Sequence, residues 1–381
     1  MSPEQLVQVL TPNGYEKYEV GQEVEVEWRS AGLTEYETVA LINAGGDLVR
    51  GGELGDWLQN AYQTVSYYTG TVSYTLDRSG VSEPGPEAVY RSHVYAASGI
   101  GNRIAYELPV PDGEYTVVLH FAEPSYTTAG YRVFDIVVQG VTERENYDLV
   151  AAAGGRAVAK AESFDVEASG GEGIRLELVN RNASYAALLS GIEIRRANAQ
   201  GVADPLVDLE LSVDEGTNWS PVASDEGMDR FGRGSYLWTA GPETLGNTAL
   251  MRVSSNDGDQ PVGVSAEGFL IANAGGAYYV NDGSLDGDEY TTAAGDNGNS
   301  GKRADSPMAS LAAVLRAYDL DAGDVIYVDT GTYVLPTNIV LTAGDAGVEI
   351  RGPVSGEAVL NRGNTASGSY VFDLQDADGV I

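Results

Sequence analysis

Apolar and polar residues alternate with period two along much of this chain. In EVEVEW, Val24, Val26 and Trp28 alternate with glutamates, and in VDLELSV (207–213) Val207, Leu209 and Leu211 do the same. That spacing predicts strands with one buried face. VQVL (7–10), SYLWTA (235–240), ALMRVSS (249–255) and GFLIAN (268–273) read as further short strands between Gly, Asn, Asp and Pro turn signals. YTVVLHFAE (115–123) and RVFDIVVQG (132–140) read as two strands flanking a loop, Pro124 to Gly130, that carries hydroxyls and an aromatic ring, longer than a plain connection needs. Beyond Ala277, short strands recur every dozen to twenty residues: YYVND, DVIYVDTGTY, NIVLT, GVEIRG, AVLNRG and YVFDL. Hairpin signals do not separate them, so they predict the coils of a parallel β-helix. SLAAVLRAYDL (310–320) carries the one 3.6-residue stripe, Leu311, Val314, Leu315 and Tyr318, with Ser310 as N-cap.

These runs predict an all-β chain in which one sandwich interrupts another. Residues 6–36 supply too few strands to bury a core, and residues 203–274 supply the rest of one immunoglobulin-like (Ig-like) sandwich. Residues 37–197 then form an inserted domain, opening on ALINAGGD and closing on LLSGIEIRR, whose pairing would bring its ends together. Residues 277–381 form the first coils of a right-handed parallel β-helix with a short capping helix. Trp28, Trp219 and Trp238 are expected in the core or at the edges of the host sandwich. TPNGYEKYEVGQEVEVEW and LSVDEGTNW resemble the Ig-like domain of fungal cell-wall assembly proteins and many bacterial surface proteins.

Charge narrows the partners. The chain has 22 Lys+Arg against 56 Asp+Glu, a formal charge of −34. Such a field repels nucleic acid and anionic membranes and suits a saline medium, where screening relieves self-repulsion; a marine or halophilic source is expected. No apolar run reaches the length of a membrane span. The start MSPEQLVQVL has no leader pattern and the end DLQDADGVI stops on a strand-like run, so a segment of a longer exported or cell-surface protein is expected.

Candidate chemistry is sparse. There is no Cys, and His93 and His120 are the two histidines, which removes thiol catalysis and a His-rich metal site. His120 alternates with Leu119 and Phe121 and is expected to pack in a sheet. Glu123 and Asp135 flank a loop at the spacing a glycosidase pair could use, but a loop-end Glu accepting backbone N–H groups and an Asp fixing a turn explain them better. INAGG and AAAGGR lack the features of a phosphate loop. Asp282, Asp286, Asp288 and Asp296, with Asn297 and Asn299, form an oxygen-rich run that could hold Ca²⁺, though without EF-hand spacing. No cofactor is required. What remains is an enrichment of Tyr between Tyr62 and Tyr185, and tyrosines suit sugar recognition by ring stacking and hydrogen bonding.

INAGG, YYTGTVSY, AVYRSHVY, PVPDGEYTVVLHFAEPSYTTAGYRVFDIVVQG and LLSGIEI, in unbroken order, resemble a malectin domain. The resemblance implies a jelly-roll-like β-sandwich that binds glucose-containing disaccharides in a loop pocket lined by aromatics and an Asp. Carried over by position, Tyr67 or Tyr68 matches the first pocket aromatic and Tyr95 the second. The pair after Ala-Glu falls on Ser125 and Tyr126, and Asn43 lies in the N-A-G-G turn. Ser125 replaces a ring of the family pattern. The family's Asp has no clear counterpart, its place falling on Tyr185, Asn182 or Asn180. The expected function is therefore non-catalytic binding of a glucose-containing glycan, outside the cell or at its surface. One alternative is the N-terminal part of a β-helix polysaccharide lyase or hydrolase. Another is a structural or adhesive protein whose malectin-like block is a non-binding spacer.

Overall fold

The computed structural model describes residues 5–65, 67–256 and 260–380. Strands dominate it, and the chain divides into two compact units. One comprises residues 31–204 with 229–232, and the other residues 5–30, 205–228 and 233 onward.

The first unit is a β-sandwich. Its five-stranded sheet runs Ala159–Ala168, Gly113–Ala122, Gly191–Ala197, Tyr36–Asn43 and Leu58–Gln59. Its four-stranded sheet runs Val141–Asp148, Val133–Val138, Ile174–Asn180 and Arg103–Leu108, all antiparallel. Tyr115, Val117, Leu119 and Phe121 point from the larger sheet into a core shared with Ile104, Phe134, Ile136, Leu176 and Leu178. Burying each such side chain contributes about 1.5–3 kcal/mol. The opposite face of Gly113–Ala122 is covered too, because Trp57, Tyr90, Leu76 and Ala122 are buried on that side. That double coverage accounts for the nearly continuous apolar run along this strand. His120, fully buried, stands edge-on to Trp57 (5.0 Å) and accepts or donates a 2.7 Å bond between Nδ1 and the Tyr90 hydroxyl. Beside it, Glu193 is held by Arg195 (2.8 Å) and Arg230 (2.6 Å). Burial raises the Glu193 pKa, but the hydrogen bonds and charges of His120, Arg195 and Arg230 outweigh it and leave it at about 2. The unit is wider than residues 37–197 because Asn198 donates to Gly32 O and Thr34 O, and Thr34 bridges Val202.

Two short helices had no counterpart in the sequence reading. Glu87–Arg91 leads into the strand Ser92–Tyr95. Leu149–Ala153 begins where Asp148 accepts from Val150 and Ala151 N–H groups and ends at Gly154 with φ 83°.

In the second unit, Leu6–Thr11, Glu23–Ala31 and Arg233–Thr239 form one sheet, and Ser220–Gly227, Leu206–Ser212, Leu250–Ser255 and Val262–Val264 another. Trp28 and Trp238 are buried, whereas Trp219 is half-buried under the Arg252 guanidinium at 4.3 Å. Further along, strands pair in parallel: Ala277–Val280 with Val325–Val328 and then Glu349–Arg351, Gly331–Val334 with Ala358–Asn361, and Ile339–Thr342 with Phe372–Gln375. The helix forms at Leu311–Ala317, with Ser310 at its N-cap but without a side-chain capping bond.

In the acid-rich segment the carboxylates meet backbone and amide groups. Asp282 accepts from the Ser284 and Thr332 N–H groups, Asp288 from the Asn281 amide, and Asp296 from the Gly298 N–H. Asp286 is exposed. Among the described residues no three acidic or His side chains form a group that could hold a metal. The acids brace turns instead: buried Asp329 accepts four backbone N–H groups, from Glu289, Tyr290, Thr291 and Thr330.

Candidate functional site

At the end of the first unit's sandwich, the strand Gly113–Ala122 runs out into the loop 123–132. Buried Glu123 accepts from the Ser125 and Tyr126 N–H groups at 2.8 and 3.0 Å. It also pairs with buried Arg132, which donates in turn to Ala186 O. Both ends of the loop are thus tied to one ion pair, and the rings between them are set. Tyr126 and Tyr131 stack at 5.3 Å with 12° between planes, and Tyr185 stands edge-on to both at 4.9 and 4.8 Å. Arg132 lies over Tyr126 at 5.2 Å. Asn182 steadies this arrangement from its own turn, donating to Gly130 O and accepting the Ser184 and Tyr185 N–H groups.

A second aromatic wall comes from an antiparallel strand pair. Tyr68 in Tyr68–Thr71 lies opposite Tyr95 in Ser92–Tyr95, and their rings stack at 5.4 Å. A polar cavity of about 370 Å³ is lined by Tyr95, Tyr126 and Tyr185, by Ser98, Ser125 and Ser184, and by Thr71, His93 and Arg132. No carboxylate belongs to this lining among the described residues. Burial, with the Arg132 charge, lowers the His93 pKa to about 4, so its ring is neutral at pH 7.

The structure brings Tyr95, Ser125, Tyr126 and Tyr185 to one cavity, with Tyr68 against Tyr95. Tyr67 is exposed and lies outside the lining. Asn43 is buried and outside the lining, accepting from Ser92 Oγ at 2.6 Å and donating to Asp47 O at 2.8 Å. Its motif is a brace, since a Cβ on Gly45 would fall 2.0 Å from His93 N. Asn180 is likewise buried and spends its amide on Ala97, Gly99 and Ala187 backbone groups. Of the three positions open for the family's Asp, Tyr185 alone lines the cavity. Glu123 serves the loop backbone, and Asp135 fixes a bulge by accepting from Asn146 N–H and pairing with Arg181. Tyr131, His93 and Arg132 were missed. Arg132 is the first residue of RVFDI, Tyr131 precedes it, and His93 lies within AVYRSHVY, but nothing in those motifs marks them as lining a cavity.

Residues 38–189 match the malectin domain family. The match begins in Tyr36–Asn43 and ends in Leu188–Leu189, so every lining residue of the cavity lies inside the malectin segment. A probable receptor-like protein kinase of Arabidopsis thaliana is 29% identical over 221 residues, 50% of this chain and 26% of that protein. Receptor-like protein 4 of the same plant is 38% identical over 88 residues, 22% of this chain and 14% of that protein. The chain therefore spans about a quarter or less of the length of these curated relatives. Among solved structures, the ANX2 ectodomain of Arabidopsis thaliana is 17% identical with a TM-score of 0.38, over 50% of this chain and 56% of that one. The structure of the plant peptide RALF23 in complex with FER and LLG2 gives 19% identity and a TM-score of 0.36, over 48% and 54%.

Proposed function

We propose that the malectin segment binds a glucose-containing di- or oligosaccharide, or a polysaccharide carrying one, without catalysis. The observation that supports this is the polar cavity of about 370 Å³ lined by Tyr95, Tyr126 and Tyr185, with Tyr68 stacked on Tyr95 and Tyr131 on Tyr126. Cavities of this size hold small ligands, and rigid rings with hydroxyl tips serve both faces and edges of a sugar. In this reading the chain is part of a secreted or cell-surface protein. Residues 6–36 and 203–274 form an Ig-like host, residues 37–197 the inserted binding domain and residues 277–381 the first coils of a β-helix. The host reading rests on antiparallel sheets that join sequence-distant strands, and the β-helix reading on the successive parallel ladders. A glycan array probed with the full chain tests the binding. Retention on glucose-containing glycans is expected, and an array blank for all saccharides contradicts it and favours a spacer.

A further inference from the structure

His93 sits in Ser92–Tyr95, is 8% exposed and lines the cavity. Its Nδ1 is buried with no hydrogen-bond partner among the described residues. Buried polar atoms without partners are rare in folded proteins and call for a reason. The residue opposite it across the strand pair is Gly70, which also lines the cavity. A Cβ at Gly70 would fall 2.6 Å from Nε2, so only glycine leaves the imidazole room to stand where it does.

Two charged groups face His93, and the Arg132 charge, which after burial helps to keep the imidazole neutral, is only partly offset by Glu123. Arg132 and Glu123 approach it from the loop ends and are paired to each other. Its own strand adds Tyr95, with ring centroids 6.1 Å apart, and the facing strand brings Gly70 and Thr71, neither of which titrates. The neutral imidazole therefore offers one donor and one acceptor, inside a cavity that has no carboxylate although the chain carries 56 Asp+Glu.

We propose that His93 reads one hydroxyl of an uncharged saccharide in this cavity, and that the site discriminates against the same sugar bearing a carboxylate. The inference rests on the saccharide-binding reading above. An incoming hydroxyl would meet the imidazole through Nε2, which lies over cavity-lining Gly70, while buried Nδ1 stays without a partner. An added carboxylate would find the Arg132 charge already spent on Glu123, in the field of a chain of charge −34.

The test is titration of the full chain with maltose and cellobiose, and with the matching disaccharides carrying one glucuronate. Wild type should bind an uncharged disaccharide at least about tenfold more tightly than its uronate form. His93→Phe, which keeps a ring and removes both nitrogens, should weaken binding roughly tenfold while the unliganded Tm stays level or rises. His93→Gln, which restores a donor and an acceptor near Nε2, should recover part of the loss. A residue serving structure alone would show the reverse: lost Tm and retained affinity. Equal affinity of His93→Phe and wild type overturns the inference, as does equal affinity for the uronate. Should His93→Phe not fold, the imidazole ¹⁵N resonances of wild type carry the test: a His93 signal that moves on adding sugar supports the contact, and one that stays fixed overturns it. If wild type binds no saccharide at all, the binding reading falls and takes this inference with it. If wild type binds and His93→Phe binds equally, only this inference falls.

Discussion

Two kinds of tyrosine occur in the malectin segment, and their surroundings separate them. Tyr90 and Tyr106 are buried, their hydroxyls engaged by His120 and Asn60. Tyr95, Tyr126 and Tyr185 keep part of their rings at the cavity. Truncating a stacked ring removes about 0.5–1.5 kcal/mol of ring–ring or ring–sugar contact, so Tyr131→Ala should weaken saccharide binding by about three- to tenfold through the loss of support to Tyr126. Tyr67→Ala, outside the lining, should leave affinity unchanged, and calorimetric titration compares the two. In the sequence, the HFAE and RVFDI runs fix the loop that carries Tyr126, the AVYRSHVY motif carries Tyr95, and Tyr185 is one of three positions left open. Asn43 lies outside the lining, and the close backbone approach of Gly45 to His93 that its turn serves leaves no mark in the sequence. Gly45→Ala tests the brace: with His93 backbone 2.0 Å from the new Cβ, the variant should lose several kcal/mol and show a lowered Tm.

The elements that hold the site depend on buried charge. Glu193 has its carboxylate pKa depressed from 4.5 to about 2 in the folded sandwich. The unfolded state binds the proton first, so this stabilisation is fully present above about pH 4.5 and is lost as pH falls through 2. The difference amounts to about 3 kcal/mol. Denaturant unfolding measured from pH 6 to 2 should show this decline, and Glu193→Gln should flatten it. At the same scale the parallel strands after Ala277 and the helix from Ser310 were readable, since each carries its own period. Helices as short as Glu87–Arg91 were not, because a single turn has no period to read. The acid run 282–296 reads in the sequence as an oxygen-rich segment. Composition shows where oxygens are plentiful, whereas only the fold shows that Asp282, Asp288 and Asp296 already serve amide groups.

Across the whole molecule, the excess of acids makes self-repulsion a general cost. Raising NaCl from low to about 1 M shortens the screening length to roughly 3 Å, and Tm should rise with it. Within the second unit, one cation binds segments that are distant in sequence. Lys302, its side chain 1% exposed, meets Glu19 and lies 3.7 Å from the Tyr278 ring. Lys302→Ala should destabilise by about 3 kcal/mol, since a half-buried Glu19 would lose its counter-charge. No local pattern announces that pairing, because its partners lie in segments that only tertiary structure brings together. The central claim concerns the first unit alone: loop tyrosines and a strand-pair tyrosine converge on one saccharide. Calorimetric titration of the full chain with maltose and cellobiose, wild type beside Tyr126→Ala, tests it most directly. Saturable binding by wild type, weakened about tenfold or more in Tyr126→Ala at unchanged Tm, is the predicted result. Binding that survives the substitution intact, or heat signals that never saturate for either protein, would contradict it.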